Sequence, residues 1–248
     1  MHFFRRYRVS LLSGALSLGT IIMAAAQDIS TPALDPVMLG QGMTMNAAIQ
    51  AQGEYLAAGK NRTATRSDSK SGASATRLTY SGTPALRQQI VRSAAAKLQA
   101  TNPTQATALT AAFGPGKADY GQLYAAAIKG SGLRDNDAAS AFAAYLEMGY
   151  AIANNLPDTR TISATMERGL RTQAAGLIGE RLRSQAAVAQ FGEEMKLQAV
   201  LLLLGWQSSQ KAGPASAARY GRSVAERFRQ SGLDMSLLRI DEQGLIRK

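Results

Sequence analysis

The chain has 248 residues, 28 Lys+Arg against 17 Asp+Glu for a formal net charge of +11, one histidine, no cysteine and 6% aromatics. Without thiols it can form no disulfide, so the fold must be held by its core. Zinc, copper and iron sites built on imidazole or thiolate, and Cys- or His-based catalysis, have almost nothing to draw on.

The chain opens with FFRRYR, the apolar run VSLLSGALSLGTIIM, and Ala24–Ala26 before Gln27. A basic start, an apolar stretch of this length and small residues at the end have the form of a secretory signal peptide over 1–26. The run is shorter than the roughly twenty residues of a membrane-spanning helix. Cleavage there would also remove His2. Three of the 28 basic residues and none of the 17 acidic ones precede Gln27, so the remainder carries 25 against 17, a net +8. The expected location is periplasmic or secreted, with no transmembrane span in the mature chain.

Residues 27–77 read as a basic lead-in and linker. Pro32 and Pro36 favour extended chain, and MTMNAAIQAQGEYLAAG (43–59) predicts a short helix interrupted by Gly53. Lys60, Arg62, Arg66, Lys70 and Arg77 against Asp68 give a Ser/Thr/Ala/Gly-rich stretch with a net +4.

From Leu78 onward helix signals follow one another. Thr83-Pro84 is a cap followed by proline at the first helical position, and Leu86, Ile90, Ala94 and Leu98 mark an apolar stripe to about Ala100. Asn102-Pro103 opens a short helix with Ala106, Leu109 and Phe113 inward, broken at Gly114-Pro115-Gly116. A segment over about 117–129 stops at Gly130-Ser131-Gly132. Ala138, Ala141, Phe142, Tyr145, Gly149 and Ile152 then share one helix face. Asp158 or Thr159 is the expected cap of the next helix, with Ile162, Met166, Leu170, Gln173 and Leu177 inward and Arg160, Arg168 and Arg171 outward. AQFGEEMKLQAVLLLLGWQ places Phe191, Met195, Ala199, Leu202 and Trp206 together, and its leucine run predicts the most buried helix. Gly213-Pro214 begins a last helix with Ala217, Tyr220, Val224 and Phe228 inward. The tail predicts a helical turn and a strand-like piece around Arg239–Ile246. The fold class is therefore all-α, a bundle of about six helices in one domain over 78–248. Ser-Gly-Leu at 131–133 and 231–233 marks Gly132 and Gly232 as left-handed helix terminators.

Asp135, Asn136 and Asp137 stand before the 138–153 helix. They lack the spacing and glycine of a calcium loop, and they supply acceptors for unpaired N–H groups, so capping is their expected role. A carboxylate pair of the glycoside-hydrolase kind could be drawn from Glu147 with Glu193 or Glu194; sparse aromatics and the helix-start position of Glu193 and Glu194 argue against it. Neither a phosphate-binding glycine loop nor a Ser-x-x-Lys element with its flanking motifs is present. No catalytic residue, metal ligand or cofactor is assigned. Lys60, Arg62, Arg66, Lys70, Arg168 and Arg171 could contact a polyanion, and Arg219, Arg222, Arg227 and Arg229 extend the basic surface, with Glu167, Glu180 and Glu226 beside them. Tyr145, Tyr150, Trp206 and Phe228 fall on or near core stripes and read as packing.

The segments LTYSGTPALRQQIVRSAAAKLQATNP, GSGLRDNDAASAFAAYLEMGYAIAN, EEMKLQAVLLLL and SGLDMSLLRIDEQGL, in that order, resemble an uncharacterised bacterial family of signal-bearing, mainly helical proteins, a domain of unknown function. The resemblance covers about 78–246. It implies export and a helical architecture and supplies no activity. The family's corresponding third helix is richer in tryptophan, where this chain has Leu146 and Tyr150. The expected function is that of an exported, non-catalytic protein acting through protein contacts in the cell envelope, with a binder of anionic polymers or lipid head groups and a carboxylate-based glycan hydrolase as the alternatives.

Overall fold

The computed structural model describes residues 43–58, 77–156 and 162–248. The 1–26 segment, Lys60, Arg62, Arg66, Lys70, Asp158, Thr159 and Arg160 lie outside the described residues. Eight α-helices are present among the described residues, not six: α1 (Met43–Ala57), α2 (Pro84–Gln99), α3 (Pro103–Phe113), α4 (Tyr120–Ala127), α5 (Ala138–Ala153), α6 (Ala164–Ile178), α7 (Gln185–Lys211) and α8 (Pro214–Gln230). A 3-10 turn (Met235–Leu237) and an antiparallel hairpin, β1 (Leu238–Asp241) and β2 (Gly244–Arg247), follow. The count rises because the lead-in helix docks and the short α3 and α4 each form a capped element of their own.

Thr83 and Asn102 are the caps expected from the sequence, and Ser184 caps α7 where no cap was expected. Thr83, Asn102 and Ser184 accept hydrogen bonds from Leu86, Gln105 and Ala187, each satisfying a backbone donor the first helical turn leaves open. Pro84, Pro103 and Pro214 occupy first-turn positions where no N–H is missed. The cap of α6 is Ser163, later than expected, with the Met166 sulfur returning to the Ser163 N–H.

α5 and α7 pack along each other at the centre. α5, rather than α7, is the more completely enclosed: every residue except Tyr150 and Ala153 is buried. Its seven alanines and Gly149 leave room for neighbours all round, and the Phe228 ring of α8 lies where a Cβ on Gly149 would stand, 2.2 Å from it. α8 covers both central helices, α6 lies on α5, and α4 on α7. Phe142–Phe191, Tyr145–Phe228 and Trp206–Tyr220 pair their rings at 5.8, 5.1 and 6.3 Å, so these aromatics are core packing. Among the described residues no helix is long and apolar enough to cross a membrane.

Three local expectations change. The buried stripe of α6 is Glu167, Leu170, Ala174 and Ile178, one step round from Met166, Gln173 and Leu177. The reason is that the Glu167 carboxylate turns inward and Gln173 serves the hairpin, accepting from the Leu245 N–H at 2.9 Å and donating to its carbonyl at 2.8 Å. Gly53 does not interrupt α1; it lets the helix approach the Gly232 carbonyl, 2.7 Å from where a Cβ would sit. Gly232 is left-handed (φ 86°) as expected, with Leu233 N–H returning to Phe228 O and its side chain buried. At the other site the left-handed residue is Gly130 (φ 80°), not Gly132.

Candidate functional site

The segment before α2 runs antiparallel to the segment before α5. Tyr80 N–H donates to the Asn136 carbonyl and Ala138 N–H to that of Leu78, both at 2.9 Å. Asn136 takes a left-handed conformation (φ 52°), which asparagine tolerates better than most residues. The three polar side chains there consequently diverge.

Asp137 is the expected cap and more. Fully buried, it accepts from Ser140 N–H at 2.7 Å and from the Arg171 guanidinium at 3.0 and 2.6 Å, a two-pronged pair. Asp119 repeats the device: it caps α4 through Gly121 N–H and is gripped by Arg87 of α2 at 2.8 and 2.9 Å. Each arginine ties a neighbouring helix to a helix start.

Asp135 and Asn136 turn instead to Lys196, in the middle of α7. The ammonium, 1% exposed, lies 2.6 Å from Asp135 Oδ1, 2.7 Å from Asn136 Oδ1 and 3.0 Å from Glu193 Oε1. Tyr80 and Tyr124 turn ring faces to it at 5.2 and 5.4 Å, a favourable position for a cation. Tyr80 O–H donates to Glu193 Oε1 at 3.0 Å. Burial, and then the Glu193 charge, raise the Tyr80 and Tyr120 phenols well above the ordinary tyrosine range; both stay neutral beside a fully buried carboxylate. A Cβ on Gly82 would meet Asn136 Oδ1 at 2.6 Å and Glu193 Oε1 at 2.8 Å, and one on Gly192 would enter the Tyr80 ring. The two glycines let backbone close over the cluster, leaving Asp135 (44% exposed) at its mouth.

The other predicted residues are dispersed. Glu194 bonds Gln190 one turn back. Glu147 lines a cavity of ≈ 20 Å³ between α4, α5 and α7, shared with Glu167 but with neither Glu193 nor Glu194; that volume holds about one water. Glu167 also accepts from Gly132 N–H. Arg168 is exposed and bonds Thr165, whereas Arg171 is held by Asp137. Glu226 and Arg229 form an exposed pair on α8.

A second feature lies on the α2–α3 hairpin. A shallow groove of ≈ 600 Å³ runs between these helices, lined by Ala95, Ala96, Gln99, Ala106, Thr107, Thr110, Ala111, Gly114, Pro115 and Lys117. Residues 84–118 contain Arg87, Arg92, Lys97 and Lys117 and no carboxylate. With Arg87 paired to Asp119, the exposed Arg92, Lys97 and Lys117 give this hairpin a positive bias, and Lys117 lines the groove.

Residues 9–247 match the model of a family of unknown function, DUF6683. The chain belongs to that family. No curated protein and no solved structure matches it.

The Lys196 cluster was not read from the sequence. Glu193 and Lys196, three apart, look like a solvated surface pair, and the partners come from residues 80 and 135–136. One signal was there: a lysine flanked by Met195 and Leu197 inside the apolar helix had to bury its charge or break the pattern.

Proposed function

We propose that the chain is exported to the cell envelope and acts without turnover of an external substrate, by holding an acidic segment of a partner protein against the α2–α3 groove. The observation that carries this reading is the groove itself: small side chains line a concave face with Lys117 on its wall, and the exposed charges of α2, α3 and the loop after them are all positive. Alanine and threonine walls admit the close approach of a helix or extended peptide, and the cations favour a partner bearing carboxylates. Two copies of the same face would set cation against cation, which disfavours self-association there. Export is supported by the form of residues 1–26. The cluster around Lys196 fits a structural role, since each of its charged groups has a close partner.

The test is capture from an envelope extract with the wild-type chain and with Ala111→Glu, an exposed substitution that places a negative charge in the groove. A protein retained by the wild type through moderate salt and lost with Ala111→Glu, with its contact mapped by cross-linking to an acidic segment, supports the reading. Identical retention by both proteins overturns it. So does a bound nucleic acid or glycan released steeply with salt, which would favour the polyanion alternative.

A further inference from the structure

The Lys196 cluster holds a nucleophile, an acyl group and a proton carrier in one water-poor site, and we propose that the chain joins them itself, forming an amide bond between Lys196 Nζ and Asn136 Cγ. Lys196 Nζ is 2.7 Å from Asn136 Oδ1. With a C=O bond of about 1.2 Å, Cγ lies within about 4 Å of the nitrogen, against the roughly 3–3.5 Å of a reacting pair. Glu193 Oε1 is 3.0 Å from the same nitrogen, and Glu193 and Lys196 are 0% and 1% exposed. The left-handed Asn136 backbone, pinned by its carbonyl to Tyr80 N–H, presents the amide to α7. Gly82 closes over the Asn136 and Glu193 oxygens with no side chain between them.

The reaction needs no outside reagent. Glu193 takes a proton from the Lys196 ammonium, and the neutral Nζ attacks Cγ of Asn136. Protons pass from Nζ through Glu193 to the side-chain nitrogen of Asn136, its bond to Cγ breaks, and ammonium leaves. One C–N bond forms and one breaks, the carboxylate is regenerated, and the ammonium carries away the charge that Lys196 brought. Burial of Lys196 and Glu193 keeps bulk water from the reacting atoms, which limits the competing hydrolysis. The product ties the start of α5 to the middle of α7 across 60 residues of sequence. In a chain without cysteine, it takes the place a disulfide would hold between the two central helices.

The experiment is a peptide map of the denatured, trypsin-digested full chain by mass spectrometry. The proposal expects a branched species joining 135–160 to 184–211, uncut at Lys196 and lighter than the two peptides by one ammonia. Two linear peptides, one ending at Lys196, overturn it. A branch lighter by one water overturns the assignment to Asn136 and moves the acceptor to Asp135. Ammonia lost from linear 135–160, by cyclisation at Asn136-Asp137, also counts against it. Glu193→Gln, if it folds by circular dichroism, is expected to lose the branch, and a complete branch there overturns the role of Glu193. Should that variant fail to fold, the wild-type map decides alone.

Discussion

Replacing Asp137 by alanine removes two supports at once. Its carboxylate caps α5 through Ser140 N–H at 2.7 Å and holds Arg171 in two short hydrogen bonds, with the side chain at 0% exposure. Loss of a cap costs about 1 kcal/mol. Breaking a buried ion pair costs roughly 3–5 kcal/mol when the surviving charge is stranded. Here the survivor, Arg171, is 25% exposed and regains some water, so its share falls to about 2 kcal/mol. The sum is about 3 kcal/mol, a third of the stability of a typical domain, and lowers Tm by roughly 10 °C in a chain of this size. Asp137→Asn retains a capping oxygen and is expected to lose only the ion-pair share. Urea unfolding of the three proteins measures this. A loss below about 1 kcal/mol for Asp137→Ala, or an equal loss for both variants, would refute the reasoning, because the cap and the guanidinium grip would then not be separate, substantial supports.

Two glycines of α6 should respond with opposite sign. A Cβ at Gly169 would lie 2.0 Å from the Glu242 carbonyl, so Gly169→Ala must push the β-hairpin off the helix and destabilise by about 1–3 kcal/mol. A Cβ at Gly176 meets nothing within 4 Å, so Gly176→Ala should stabilise by about 0.5–1 kcal/mol through helix propensity alone; denaturant midpoints report both. Alkaline pH should unfold the protein. Burial pushes Tyr145 up to about 12 and carries Tyr80 and Tyr120 higher, from an ordinary value of 10.0. Above pH 10 the unfolded chain releases protons that the folded one keeps, so stability is level below that point and falls above it, by about 1.4 kcal/mol per pH unit for each such tyrosine. Tyr145→Phe should remove one such share between pH 10 and 12, seen as a shallower alkaline denaturation curve.

The parts of the fold legible in the sequence were those with local causes. Thr83-Pro84, Asn102-Pro103 and Gly213-Pro214 mark helix starts because a cap or a first-turn proline acts within four residues. Asp137 was readable as a cap for the same reason. Its grip on Arg171 was not, since nothing local relates residues 34 apart. The α6 stripe was displaced by one step because hydrophobicity assigns a carboxylate to water, and Glu167 is instead buried beside Gly132. Lys196 belongs to the same class: its partners are set by the antiparallel approach of 78–80 to 136–138, a tertiary contact. The α2–α3 groove follows from small residues on two helices whose facing sides only packing decides.

Capture of a partner by the wild-type groove and by Ala111→Glu is the measurement that decides whether the α2–α3 face binds protein. An acidic protein partner is expected to bind the wild type at moderate salt, with affinity about tenfold or more lower in the variant, as a repulsive charge in a contact face requires. A partner that binds both proteins equally, through a surface away from α2 and α3, would contradict it.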